Sequence, residues 1–171
     1  HLKGITTLAF NYGFRKGELI DLTWNRVNLD EGYIRLESAD TKSGEPRMIY
    51  LDNECIDILA RQKQLAKDKG IIDPHVFLDS KGMGPLKDFR WAWDKACNEV
   101  GLKGLLFHDL RRSGVKGMVE GGVSERVAMW ISGHKTRAML DRYHIVSPDA
   151  LKEAAKKIVS HQSPGQKEEG C

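Results

Sequence analysis

The sequence predicts an α+β fold, mainly helical, with one small three-stranded antiparallel sheet. Three observations lead to this prediction. Apolar residues recur at helical spacing at the start of the chain and through its second half, and three short β-favouring runs lie between residues 26 and 51. A chain of 171 residues with 40% hydrophobic content is also long enough for one sizeable core. We therefore expect one domain over residues 1–160 and a disordered polar tail over residues 161–171.

Two helices are predicted at the start of the chain. The first apolar pattern stops at Gly13, which has the character of a C-cap, and a short second helix begins around Leu19. Arg15 therefore lies at the corner between two helices. The β-favouring runs that follow cover residues 26–29, 33–36 and 48–51, and turn-forming segments separate them.

Helices account for most of the remaining chain. Asp52 is a good N-cap for a helix that ends near Gly70, and a further helix begins at Phe89 and closes at Gly101. The last third predicts helices over residues 108–120, 123–132, 139–143 and 149–159.

Composition narrows the functional classes. Three widely spaced cysteines without a C-x-x-C pair predict neither a disulfide framework nor a thiolate zinc site, and Cys55 and Cys97 fall on apolar helix faces where they are expected to be inert. This cysteine usage predicts a protein of the reducing cytoplasm. No apolar stretch approaches the ~20 residues of a membrane span, so we expect no membrane partner. A net charge of +3 and a pI of about 8.7 permit nucleic-acid binding without requiring it.

Basic and phenolic side chains that suit chemistry on an anion lie near the C-terminal end. His108 and Arg111 are three residues apart and share one face of a predicted helix, so both can reach a common ligand. Arginine donates paired hydrogen bonds to phosphate, and histidine carries a proton near neutral pH. His134 follows a predicted helix end at Gly133, and Tyr143 comes nine residues later. Taken singly, each of these residues also fits an ordinary surface or packing role.

Five motifs together carry a resemblance to a known family. In chain order they are Arg15 in Tyr12-Gly13-Phe14-Arg15-Lys16-Gly17-Glu18-Leu19, Lys42 in Thr41-Lys42-Ser43-Gly44, His108-Asp109-Leu110-Arg111, Gly133-His134, and Tyr143. In order and approximate spacing the chain resembles the tyrosine recombinases, in particular the catalytic domain of phage-type integrases. The resemblance covers roughly residues 2–159.

The resemblance implies site-specific DNA recombination by strand cleavage and rejoining. Tyr143 would attack the scissile phosphorus and form a 3′-phosphotyrosyl intermediate, His108 would handle proton traffic, and Lys42 would protonate the departing 5′-oxygen.

The same resemblance implies how negative charge is stabilised. Arg15 and Arg111 would hold the non-bridging phosphate oxygens, and His134 would donate a further hydrogen bond. This work is otherwise done by metal ions, so we expect no metal and no other cofactor.

Double-stranded DNA is the implied partner, with a homo-oligomer, a tetramer, forming when the full-length protein is synapsed on DNA. The N-terminal DNA-binding domain of the family is absent from the sequence, which predicts a fragment of a longer recombinase of a mobile element, acting on DNA in the host cytoplasm. The basic residues expected on the DNA face are Lys87, Arg90, Lys135, Arg137 and Arg142.

Several alternatives remain open at the level of residues. Lys42 lies in an ordinary hairpin turn and competes with the other lysines at positions 3, 16 and 81, and Arg15 has a second possible role as a structural ion-pair partner of Glu18. Gly114 and Gly117 replace better helix formers at a cost of ~1 kcal/mol each, which predicts a less rigid helix around Arg111.

Three other functions remain open as well. A non-catalytic DNA-binding module is suggested by residues 122–126 and the helices around them, which resemble a helix-turn-helix. A metal hydrolase would use His108, His134 and His144 but lacks partner carboxylates at suitable spacing. A type IB topoisomerase would share the tyrosine chemistry, although the short length and compact loops favour an integrase.

Overall fold

The computed structural model describes residues 2–42, 44–79, 81–82 and 84–136, together with residues 138, 151, 152 and 155. Within these residues the helices and strands form an α+β domain that is mainly helical, as the sequence predicts. In chain order the elements are α1 (Leu2–Tyr12), α2 (Lys16–Ile20), β1 (Val27–Asn28), β2 (Tyr33–Leu36), β3 (Arg47–Tyr50), α3 (Asn53–Asp68), α4 (Arg90–Glu99), α5 (Phe107–Glu120) and α6 (Glu125–Ser132). The helices predicted over residues 139–143 and 149–159 lie mostly or wholly outside the described residues, and so does the predicted tail.

Helix α1 occupies the centre of the core, where it packs against α3 and α5. Its buried face is formed by Gly4, Ile5, Leu8 and Ala9, which is the apolar face that the helical spacing predicts. Side chains from all three strands and from α2, α3 and α4 complete the same cluster. Cys55 and Cys97 are both buried in it, and burial raises the pKa of the Cys55 thiol to about 12, in agreement with an inert role.

The three strands form one antiparallel sheet in the order β1-β2-β3, so the sheet prediction is confirmed. Ile34 pairs with Val27 on one side and with Ile49 on the other, and Leu36 pairs with Arg47. The prediction for the last strand was one residue late, because β3 begins at Arg47. The alternating burial of β3 places the Arg47 and Ile49 side chains on the same, buried face.

The corner between α1 and α2 differs in detail from the prediction. Helix α1 ends where the sequence predicts, before Gly13, but α2 begins at Lys16 rather than near Leu19. The earlier start has a local cause, since the backbone N–H of Arg15 donates to Oε2 of Glu18 at 2.8 Å and so caps the first turn. Arg15 is the residue immediately before this helix, at the corner that the sequence predicts.

Gly114 corrects the expectation of a loose helix around Arg111. A Cβ atom at this position would lie 2.2 Å from the carbonyl oxygen of Phe10 in α1, so only glycine permits the close packing of α5 on α1. At Gly117, by contrast, a Cβ atom would meet nothing within 4 Å. The first glycine therefore fixes α5 against the core, and only the second is a conformational cost.

None of the described helices is long and apolar enough to cross a membrane.

The two glycines of α5 make a matched pair of variants. We expect Gly114→Ala to lower the free energy of unfolding by about 2 kcal/mol, because the added methyl group forces α5 away from α1. Gly117→Ala should instead raise it by up to about 1 kcal/mol, because alanine has the better helix propensity. Urea unfolding followed by circular dichroism measures both. Equal effects of the two variants would contradict this account of the packing.

Candidate active site

The C-terminal end of α6 is the point on which three arginines converge. Nε of Arg47 donates to the carbonyl oxygen of Ile131 at 2.9 Å, Nη1 of Arg111 to that of Ser132 at 2.6 Å, and Nη2 of Arg15 to that of Gly133 at 2.7 Å. The last carbonyls of a helix have no partner within the helix and carry the negative end of its dipole. Three consecutive carbonyls thus each receive a different cation.

Gly133 makes this arrangement possible. It ends α6 in the left-handed conformation with φ of 71°, and the N–H of His134 returns to the carbonyl of Met129 at 3.0 Å. A Cβ atom on Gly133 would lie 2.9 Å from Nη1 of Arg47 and 3.2 Å from Nη1 of Arg15. The helix end predicted at Gly133 is therefore observed, and it also has to accommodate two guanidinium groups.

Glu18 joins two of the arginines. Its carboxylate bonds Nη1 of Arg15 through Oε1 at 2.8 Å and Nη2 of Arg47 through Oε2 at 2.7 Å. Burial by itself raises the pKa of Glu18, but the hydrogen bonds and charges of Arg47 and Arg15 outweigh burial and hold it below its usual value. Glu18 is thus a buried carboxylate anion between two cations. The ion pair that the sequence offers as an alternative role for Arg15 exists alongside the bond of Arg15 to α6.

Arg47 is the residue that the sequence analysis missed. Its side chain is only 3% exposed, lies over the ring of Phe14 and bonds both Glu18 and α6. Its Nη1 is buried without a hydrogen-bond partner in the part of the chain that the structure describes. A signal was available in the sequence: the period of a strand beginning at residue 47 places this arginine on the same face as Ile49, where a charged residue needs a special partner.

Arg111 approaches the cluster from α5. Its side chain is buried, and Nη1 donates to the carbonyl oxygens of both Gly13 and Ser132. This bond pattern ties the end of α1 to the end of α6 through a single guanidinium group.

His134 is also buried, immediately after the helix end. Its Nδ1 lies 2.7 Å from Oγ of Ser132. Burial lowers the pKa of His134 to about 4, and the nearby charges of Arg111, Arg15, His108 and Arg47 act in the same direction. The ring is therefore neutral at pH 7.

His108 lies on the exposed side of the same cluster. Partial burial lowers its pKa, and the charges of Arg111, Arg112 and Arg15 lower it further, against the opposing effect of Asp109. His108 in turn lowers the pKa of His134, and Arg111 and Arg15 lower the pKa of both rings, so the two histidines lie in the same positive field.

The other residues singled out from the sequence are placed differently. Lys42 is exposed in the turn between β2 and β3, and no described contact joins it to the arginines. Lys87, Arg90 and Lys135 are exposed as well. Tyr143, Arg137 and Arg142 lie outside the described residues, as does His144 of the metal-hydrolase alternative. Among the described residues no three His, Cys, Asp or Glu side chains form a group that could hold a metal ion.

Comparison with known proteins assigns the family. The sequence model of the phage integrase family matches residues 1–149. The chain belongs to the phage integrase family. Among its relatives are the integrase of Salmonella phage P22, 24% identical over 93% of this chain and 43% of that protein, and a shufflon-specific DNA recombinase of Escherichia coli, 31% identical over 80% of this chain and 32% of that protein. This integrase-family chain thus spans less than half the length of these two relatives.

Solved structures share the fold of this integrase-family chain. A crystal structure of XerA recombinase superposes with a TM-score of 0.72 and 20% identity, covering 96% of this chain and 59% of that one. The catalytic domain of bacteriophage HP1 integrase superposes with a TM-score of 0.66 and 21% identity, covering 96% of this chain and 86% of that one. The resemblance stated from the five sequence motifs is confirmed at the level of family and fold.

The buried pair of Arg47 and Glu18 predicts a large effect on stability. We expect Arg47→Met to lower the free energy of unfolding by about 3 kcal/mol, the low end for breaking a buried pair, because Arg15 still compensates the charge of Glu18. Arg35→Met on β2 is the control, since Arg35 pairs with Glu37 at 2.7 Å but is 59% exposed, and its loss should cost at most about 1 kcal/mol. Urea unfolding distinguishes them, and similar costs would show that Arg47 holds nothing in place.

Proposed function

We propose that this chain is the catalytic part of a site-specific DNA recombinase, which cleaves and rejoins DNA strands through a 3′-phosphotyrosyl intermediate. The observation that carries the proposal is the convergence of Arg15, Arg111 and His134, from three distant stretches of an integrase-family chain, on the end of α6. A catalytic domain over residues 1–160 is part of the same proposal.

The proposed reaction exchanges one phosphate ester for another. Oη of Tyr143 attacks the scissile phosphorus, the bond from phosphorus to the 5′-oxygen breaks, and the 3′-phosphate remains joined to the tyrosine. The phenol proton leaves toward His108, whose ring has a lone pair free to accept it because burial and its cationic neighbours lower its pKa and keep it unprotonated at pH 7. The ester keeps the energy of the broken linkage, so rejoining by a 5′-hydroxyl needs no nucleotide cofactor.

The arginine cluster supports the proposed stabilisation of charge. Arg15 is partly exposed and, among the described residues, uses two of its five N–H groups, one on Glu18 and one on Gly133. Its orientation is fixed from two sides before any phosphate arrives. Donors held in this way stabilise a developing negative charge without first having to reorganise.

Double-stranded DNA is the proposed partner. Structures related to this fold include the Tn1549 transposon integrase in complex with transposon right end DNA and XerH site-specific recombinase bound to its difH substrate. Lys87, Arg90 and Lys135 are exposed and offer phosphate contacts. Arg137 and Arg142, which lie outside the described residues, belong to the same proposal. Assembly of the full-length protein into a tetramer on DNA, in the host cytoplasm, completes the proposal.

Covalent trapping tests the nucleophile. A library of short duplexes with randomised sequence, each nicked just beyond a candidate scissile phosphate, loses the 5′-hydroxyl fragment after cleavage and so traps the ester. We expect an adduct that survives denaturing electrophoresis with the wild-type chain and with Tyr50→Phe, which changes an exposed tyrosine. Tyr143→Phe should form none, because phenylalanine has no nucleophilic oxygen.

Two results would count against this function. Salt-sensitive DNA binding with no adduct from any library member would favour the non-catalytic DNA-binding module. An adduct that persists in Tyr143→Phe would assign the nucleophile to another side chain.

A bridging sulfur at the scissile position tests Lys42 as the general acid. We expect Lys42→Ala to lose cleavage of ordinary DNA by about 10²-fold or more, because the 5′-oxygen then leaves without a proton. Cleavage should recover on a substrate with a 5′-bridging sulfur, which leaves readily as a thiolate. Alanine variants of Lys3, Lys16 and Lys81 are the controls. If one of these shows the recovery and Lys42→Ala does not, the acid is that other lysine.

A further inference from the structure

Ser132 is a fully buried hydroxyl that contacts the ring of His134. It is the last residue of α6, and it has no exposed surface. Its Oγ lies 2.6 Å from the carbonyl oxygen of Ala128, 3.4 Å from that of Met129 and 2.7 Å from Nδ1 of His134. The hydroxyl therefore faces two carbonyl groups and one ring nitrogen.

The single proton of this hydroxyl determines where the ring proton must be. A carbonyl oxygen only accepts, so the short contact to Ala128 requires the Ser132 proton, in the bond that a helical serine commonly makes four residues back. Oγ then offers only lone pairs to His134. The 2.7 Å contact is favourable when Nδ1 of His134 carries a hydrogen, and repulsive when both atoms present lone pairs.

We propose that Ser132 is a positioning residue that holds His134 as the Nδ1–H tautomer in the DNA-free protein, so that His134 must take up a proton to donate a hydrogen bond from Nε2 to a phosphate oxygen. The inference rests on the proposed function, because the phosphate belongs to the scissile linkage. The proton comes from solvent, and the ring becomes an imidazolium with Nδ1 on Ser132 and Nε2 on the anion.

The surroundings of His134 make this uptake depend on the anion. Arg111 and His108 on α5, Arg15 at the corner before α2 and Arg47 on β3 all act electrostatically on the ring. The carboxylate of Glu18 is already bonded to Arg15 and Arg47. A positive charge on the ring is therefore disfavoured until a bound oxyanion contributes negative charge beside it.

Nitrogen NMR on the DNA-free chain tests the tautomer directly. In protein labelled with ¹⁵N-histidine, two-bond proton–nitrogen spectra distinguish the tautomers, and loss of a signal in His134→Gln assigns the ring. We expect the Nδ1–H pattern for wild type and for Ser113→Ala, which removes an exposed serine of α5. Ser132→Ala should shift His134 toward Nε2–H. An Nε2–H pattern in wild type, or no change in Ser132→Ala, would overturn the assignment.

Sulfate tests the proton uptake, with His75 as an internal control because it pairs with Asp73 in a different loop. The pKa of His134 is read from the same spectra in sulfate and in chloride at equal ionic strength. We expect sulfate to strengthen proton binding at His134 about tenfold or more and to leave His75 unchanged. An unchanged proton affinity of His134, or an equal change at His134 and His75, would overturn the proposed proton uptake by His134. Neither measurement depends on cleavage, so a missing covalent adduct would reject the proposed function and leave the tautomer assignment standing.

Discussion

This structure depends on one set of hydrogen bonds, in which three guanidinium groups bind three consecutive carbonyls at the end of one short helix. Arg15, Arg47 and Arg111 come from the corner before α2, from β3 and from α5, and all three bond the end of α6. The end of α6 therefore joins the helical part of the domain to its sheet. The carbonyls accept these bonds because α6 stops at Gly133, where the left-handed backbone and the two nearby guanidinium groups favour glycine.

Burying so much positive charge is unfavourable unless each cation is matched. Glu18 supplies one full negative charge between Arg15 and Arg47, and the helix dipole of α6 adds partial negative charge. Gly114 contributes from a distance, because it brings α5 close enough to α1 for Arg111 to reach both Gly13 and Ser132. The close packing of α5 on α1 is thus needed for the hydrogen bonds of Arg111 at the end of α6.

Local signals in the sequence were sufficient for the presence of the helices that the structure describes, for the sheet, for the corner at Arg15 and for the helix end at Gly133, since caps, turns and periodicity act over a few residues. The contribution of Arg47 was not predicted, because its partners Glu18 and Ile131 lie 29 and 84 residues away. One of these partners is a backbone carbonyl, which every residue possesses and no residue type marks. Ser132 was missed for a different reason: its partner His134 is only two residues away, but the contact forms only because the chain turns back at the end of the helix.

On the proposed reaction, the balance of charge at this site favours the transition state over the bound substrate. The three guanidinium groups carry three positive charges. The carboxylate of Glu18 offsets one of them, and the dipole at the end of α6 offsets about half of another, which leaves a net charge of about one and a half positive. A phosphodiester carries one negative charge, and a pentavalent phosphorus formed by attack of a phenolate carries two. On the proposed reaction, proton uptake by His134 increases the positive charge as the negative charge of the substrate arrives. The reaction barrier falls when the site attracts the doubly charged pentavalent phosphorus more strongly than the singly charged phosphodiester. Equal attraction to both would only tighten substrate binding.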